Sequence, residues 1–483
     1  MIGATAVVES ASVYKEHSGV ARVVQFVANA PFERRVVASL ASLYAFRMLG
    51  LFMVLPVLAL YGDDYSGSSP FLLGVALGAY GFSQALLQIP FGVLSDRIGR
   101  KPVIIAGLLI FTLGSMLAAQ ADTMAELIAG RILQGAGAIA AAVMALLADL
   151  TADENRTKAM AVIGASIGAS FSLALVLGPL LAAWGGMAAI FWVTAALGLV
   201  GIYLVWQVVP SPARARPRYE SGAVPALLVS TLKNPELMRL NLGIFVLHLV
   251  LMASFIVVPQ MLEQDLGLTR ERHWLVYLPL LVGAFIAMLP FIIVAERRRK
   301  MKPVFLGAIA LLGLAVLSLL GAGTSLPLTL LALFGFFMAF NLLEATLPSL
   351  VSKIAPAGGK GTATGIYSTC QFAGAFAGGV MGGWLWQNWD IAAVLTVCAG
   401  LALLWWLVAL FMRPPRFLAS LLIPLQGQPV EVLSERLRDQ PGVVEVVVIP
   451  AEGTAYLKVD PRELDRSQLD QVVASLIPSE AVR

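Results

Sequence analysis

Residues 92–101 read Gly92-Val93-Leu94-Ser95-Asp96-Arg97-Ile98-Gly99-Arg100-Lys101, with Pro102 next. Apolar runs flank this stretch on both sides, over 70–93 and 102–120. A membrane-crossing helix needs about 20 mostly apolar residues. The stretch therefore reads as a short charged turn between two such helices. Gly92 allows close helix approach, and Gly99 allows the tight turn. Asp96 can act as an anion facing a helix N-terminus, where the peptide dipoles leave partial positive charge. Arg97 and Arg100 can pair with carboxylates across the same end, beside Lys101.

The apolar pattern continues in both directions. Twelve runs have membrane length: 38–61, 70–93, 102–120, 124–148, 158–183, 187–209, 237–262, 273–295, 303–322, 326–350, 361–386 and 390–412. They are spans 1 to 12 below. The longest connection, 210–236, is basic and divides the runs into two sets of six. The 201-residue offset between Pro102 and Pro303, each after a basic turn, also carries Gly164 onto Gly365 and Gly178 onto Gly379. Together these suggest a parallel duplication.

Composition agrees. Of 483 residues, 59% are hydrophobic and 13% charged, whereas about a quarter of a soluble domain is charged. This excludes a disordered chain, a coiled coil and a typical cytosolic enzyme. Residues 413–483 differ, with 8 basic and 10 acidic residues, and read as a soluble appendix. The net charge of +4 calls for no nucleic-acid partner, because cytoplasmic loops collect Lys and Arg. The segment 1–37 has no long apolar run and does not read as a cleavable signal peptide. The N-terminus and alternate loops hold most of the basic residues. This predicts cytoplasmic termini, with Arg270 and Arg272 as the exception. Expected domains are 1–37, a first bundle 38–209, a linker 210–236, a second bundle 237–412 and the tail 413–483. The tail reads βαββα: an apolar run 421–425, a helix 430–438, strands 442–449 and 453–460, and a helix 467–476, with room for a last strand. Cys370 and Cys398 form neither a CxxC nor a Cys/His cluster, so no metal or disulfide is expected, and no cofactor.

The 92–101 stretch resembles the cytoplasmic gating motif of the major facilitator superfamily. Several runs are similar to its YajR-type branch: 47–56, 91–102, 138–160, 340–344 and 360–368. That branch carries a small ferredoxin-like domain after span 12. The resemblance implies an all-α polytopic 6+6 fold with an α+β tail, in the cytoplasmic membrane. It implies that Asp96 faces the start of span 11 and that Arg100 pairs with Asp149 at the inner end of span 4. Those contacts would latch an outward-open state.

Two further stretches resemble family motifs. Gly130-Arg131-Ile132-Leu133-Gln134-Gly135 is similar to the span-4 motif of proton coupling. A cation inside a bilayer needs a partner or a wet cavity, and Arg131 and Gln134 share a helix face. Snorkelling or bracing is the alternative for Arg131. Gly164, Gly168, Gly178 and Pro179 in span 5 loosely resemble the antiporter motif. Generic helix packing is the alternative there.

Polar residues inside the spans are few. Tyr80, Gln84 and Gln88 form one stripe. Arg47 lies in span 1 and His248 in span 7. Asn341 and Glu344 are three apart, and Tyr367 and Gln371 four apart. All could face a central cavity. Glu344 is the only acid deep in a span, which makes it the proton-carrier candidate. Its structural alternative is a pair with Arg47, Arg131 or a backbone group. For His248 simple packing is the competing role, and for the Tyr/Gln stripes interhelical hydrogen bonding. Many drug/proton antiporters carry an acid in span 1, where this chain has Arg47. The expected function is proton-coupled efflux of a small molecule by alternating access, through a monomer that is not an enzyme. Symport or uncoupled flux is the alternative within transport. A membrane sensor with the tail as its output is the alternative outside it.

Overall fold

A computed structural model describes residues 34–151, 153–211, 225–356, 359–414, 418–425, 430–449, 454–460 and 462–475. The N-terminal segment before Arg34, most of the basic linker and any last tail strand lie outside the described residues. Within the linker, Pro225–Lys233 is a helix, with proline at its first position, where no intrahelical N–H is needed.

Ten described helices are long and apolar enough to cross a membrane. One of them holds both spans 5 and 6. The helix Asp153–Tyr203 has no intervening loop and is broken only at Gly185 and Gly186. Gly186 takes φ 67°, a left-handed value that glycine adopts without a Cβ clash. Span 11, Lys360–Asn388, is absent from the ten because it is rich in glycine. With it and the division of spans 5 and 6, the fold has its twelve spans.

The glycines of span 11 explain its weak hydropathy. A Cβ on Gly374 or Gly378 would sit 2.2 Å from the carbonyl oxygens of Phe245 or Leu249 in span 7. A Cβ on Gly383 would sit 2.4 Å from Pro70 O in span 2, and one on Gly74 2.1 Å from Gly379 O. Span 11 is thus held backbone to backbone between two neighbours, which only small residues permit.

Two spans depart from the expected single helices. Span 1 is regular from Arg34 to Phe52 and then winds tighter, with Leu55 N donating to Phe52 O at 3.1 Å and Leu60 N to Val57 O at 2.9 Å. Pro56 lies in this stretch and lacks the N–H that a regular helix would use. Span 4 is two helices, Met124–Ala136 and Ala140–Leu150. At the break, a Cβ on Gly137 would lie 2.3 Å from Gly107 O of span 3. The break and the close approach occur together, a combination that apolar periodicity does not reveal.

In the tail, β1 (Ala419–Pro424), β2 (Val443–Ile449) and β3 (Thr454–Val459) form an antiparallel sheet in the order β1-β3-β2. The helices Val430–Arg438 and Arg466–Ser475 supply Leu433, Leu437 and Leu469 to its core, against Val446, Ala455 and Leu457. The tail touches the second bundle. Lys458 Nζ on β3 donates to the Lys353 carbonyl at 3.0 Å.

Candidate functional site

Each bundle places one polar cluster within the spans. In the first, Arg47 Nη2 donates to Gln84 Oε1, and Gln84 Nε2 donates to Gln88 Oε1 at 2.6 Å. Two members of the i, i+4, i+8 stripe, Gln84 and Gln88, are therefore hydrogen-bonded in a chain that starts at Arg47. Arg131 Nη1 donates to Gln134 Oε1 at 2.9 Å and its Nε to Ala76 O at 3.3 Å. Gln134 Nε2 passes the chain to Ser115 Oγ at 2.8 Å. Both guanidiniums lie over the Tyr80 ring, Arg47 at 5.7 Å and Arg131 at 5.3 Å from its centroid. Such cation–π contacts matter more where water is excluded. Arg47 and Arg131 are 2% and 0% exposed.

In the second bundle, His248 Nε2 lies 3.1 Å from Glu344 Oε1. Gln371 Nε2 is 2.9 Å from the same ring nitrogen and 3.3 Å from Glu344 Oε1. Spans 7, 10 and 11 thus converge on one carboxylate. Glu344 is partnered by His248 rather than by Arg47 or Arg131, and His248 does more than pack. Its Nε2 cannot accept from the Gln371 amide and donate to Glu344 at once. The proton on this nitrogen and the orientation of the amide are therefore coupled. Tyr367 lies within electrostatic reach of Glu344. Neither the Tyr367 hydroxyl nor Asn341 Nδ2 has a partner among the described residues.

The 92–101 turn forms a three-way staple. Arg100 is 6% exposed and reaches Asp96, Ser95 Oγ at 2.7 Å and Asp149 Oδ2 at 3.3 Å. Lys101 Nζ donates to Val209 O at 2.7 Å, closing the last turn of span 6 as a basic group near a helix C-terminus should. Gly99 takes φ 102° between two helices. A Cβ on Gly92 would meet the Ala141 Cβ at 3.4 Å, so the approach there is only moderately close. Arg97, expected to pair, is exposed, because the acids of this corner already meet Arg100. These three partners of Arg100 all belong to the first bundle.

In span 5, Gly178 packs against span 1, where a Cβ would lie 2.3 Å from Met53 O. Pro179 follows within the same continuous helix. Gly164 and Gly168 have nothing within 4 Å of a built Cβ, so close packing is confined to the Gly-Pro end.

The contacts that join the bundles cluster at the end opposite the basic turns. Gln260 Nε2 donates to Ala59 O at 2.6 Å. Arg270 Nη1 donates to Leu60 O at 3.1 Å, and its guanidinium lies 4.6 Å above the Tyr61 ring. Phe71 N donates to Gln387 Oε1 at 3.1 Å. Arg270, the exception to the charge bias, is part of this clasp. Gln260 and Gln387 had no motif to mark them.

Residues 40–379 match the model of the Major Facilitator Superfamily. The chain belongs to the major facilitator superfamily. Its tail, residues 421–475, matches the YajR YAM domain, which places it in the YajR branch of that superfamily. It is 46% identical to the inner membrane transport protein YajR of Escherichia coli (strain K12), covering 92% of this chain and 98% of that protein. An uncharacterised transporter of Buchnera aphidicola is 35% identical over 72% of this chain and 89% of its own length. Among solved superfamily members, a D-xylose-proton symporter shares the fold at a TM-score of 0.65 and 17% identity. That match covers 80% of this chain and 98% of the other. The protein is a multi-pass inner membrane transporter.

Proposed function

We propose that the chain exports a small molecule in exchange for protons by alternating access, as a monomer with both termini in the cytoplasm. The observation that carries this reading is the Glu344–His248–Gln371 cluster. A carboxylate and an imidazole share a hydrogen-bonding position where three spans of one bundle meet. Glu344 keeps 27% of its side chain accessible, so protons can reach it. Intramembrane acids that contact a titratable neighbour are the usual elements of proton relays in transporters. The separate cluster around Arg47 and Arg131 gives the opposite bundle its own polar face. Substrate and proton can then be sensed on either side of the rocking interface. The clasp through Gln260 and Arg270 supports a state closed at the end away from the basic turns. By the loop-charge rule that end is periplasmic.

The test is made on the purified chain in liposomes holding an imposed pH gradient and an internal pH dye. Compounds from a chemically diverse set are added outside. Compound-dependent dissipation that is lost in Glu344→Gln supports the reading. Flux that proceeds equally without a gradient, or that Glu344→Gln leaves unchanged, overturns the coupling.

A further inference from the structure

Arg47 and Arg131, the arginines deep inside the first bundle, have no counter-charge among the described residues. Every Asp and Glu within 38–209 lies in a turn or in the terminal turn of a helix. The partners of Arg47 and Arg131 among the described residues are amide and carbonyl oxygens and one aromatic face. Arg47 Nε and Nη1, Arg131 Nη2 and the Tyr80 hydroxyl are buried and have no hydrogen-bond partner among the described residues. An unpaired buried charge is costly, and so is each unmet donor. Glu344, the acid within the spans, already meets His248 and Gln371.

From this imbalance we infer that the Arg47–Tyr80–Arg131 cluster is the binding site for the charged end of an anionic substrate, an organic carboxylate or similar oxyanion. The inference rests on the transport reading and deepens it. Guanidinium forks match the geometry of oxyanions and can bind them through two parallel N–H bonds. The free Nε and Nη1 of Arg47 supply two donors on different edges of the guanidinium, either side of the nitrogen that Gln84 holds. Arg131 Nη2 and the Tyr80 hydroxyl supply further donors from the adjacent spans. A cationic substrate would meet two like charges here. The Tyr80 ring lies 6.3 Å from the Phe372 ring of span 11, so the charged end would bind where the bundles meet. An apolar body could rest on that aromatic contact. Binding would also supply the missing charge compensation, and this favours closure around the anion.

The experiment reads binding and stability, not flux. Thermal unfolding of the purified full-length chain is followed with a series of carboxylates from acetate to 3-phenylpropionate. The neutral amide and the ammonium analogue of 3-phenylpropionate serve as matched controls. The expected result is a raised midpoint with the larger carboxylates alone. Arg47→Gln should weaken that response about tenfold or more. The ligand-free Arg47→Gln chain should unfold at a higher temperature than the native one, since an uncompensated charge has been removed. The inference is overturned if the ammonium analogue stabilises as well as the carboxylate, or if no carboxylate responds. It is also overturned if Arg47→Gln lowers the ligand-free midpoint. A chain that binds carboxylates but carries no flux would sink the transport reading and leave this one standing. Proton-coupled flux of a cation, unchanged in Arg47→Gln, would do the reverse.

Discussion

Glu344 Oε1 and His248 Nε2 stand 3.1 Å apart and join span 10 to span 7. Gln371 from span 11 contacts both. Replacing His248 by Phe keeps the tilted ring contact with Phe340, now 5.9 Å between centroids, but removes the proton acceptor. Gradient-driven flux should fall about tenfold or more, as when a positioned acid–base group is lost. Ligand-induced thermal stabilisation should remain. Equal gradient-driven flux in His248→Phe would show that Glu344 works without its neighbour.

Arg100 serves three acceptors at once, on Ser95, Asp96 and Asp149. A lysine has the charge but not the planar fork. Arg100→Lys should therefore recover little of what Arg100→Ala loses. Removing one partner of a buried pair costs about 3–5 kcal/mol, and Asp149 is 14% exposed, so about 2–4 kcal/mol is expected here. Thermal inactivation of the two variants beside Arg97→Ala checks this. Arg97→Ala should behave like the native chain, because Arg97 is exposed.

Glycines in this fold differ widely in the space around them. Gly74 has the Gly379 carbonyl 2.1 Å from where its Cβ would be, and Gly164 has nothing within 4 Å. Gly74→Ala should push spans 2 and 11 apart and favour opening at that end. Labelling of a cysteine introduced near Phe71 should then speed up. Gly164→Ala should instead stabilise the helix by about 0.5–1 kcal/mol. Identical labelling in Gly74→Ala and the native chain would mean that this contact does not hold the closed state.

Burial holds the Lys458 ammonium below the ordinary lysine range, Glu445 opposes the shift and Lys360 adds to it. The unfolded tail therefore binds this proton more tightly than the folded one. Stability should rise with pH between the lowered folded value and the ordinary one, as neutralisation relieves the desolvation cost. Protease cleavage of the tail in the full-length chain should slow across that alkaline interval. The slowing should disappear in Lys458→Met. Cleavage that accelerates with pH in the native chain but not in the variant would reverse the assignment.

The sequence made the twelve spans legible because length and apolar content suffice for a membrane helix. It made the tail legible because short alternating strands and turn residues report locally. The Arg100–Asp149 pair came from a family resemblance, and the geometry agrees. The partner of Glu344 was not legible. His248 and Glu344 are far apart in sequence, and only helix packing brings them together. The breaks in spans 1 and 4 were hidden for a similar reason. A backbone contact such as Gly137 against Gly107 leaves no periodic trace. The clasp at Arg270 showed only as a violation of the charge rule.

The bond from Lys458 to the Lys353 carbonyl fixes the tail to span 10, where Lys353 Nζ also holds Glu296 of span 8 at 2.8 Å. The appendix is therefore a passenger of the second bundle. Under the proposed alternating access, its separation from spans 9 and 10 stays constant while its separation from spans 3 and 4 changes. The tail thus serves as a pointer on a dial. A spectroscopic label pair spanning the tail and the first bundle would read the transport cycle without touching the membrane interior.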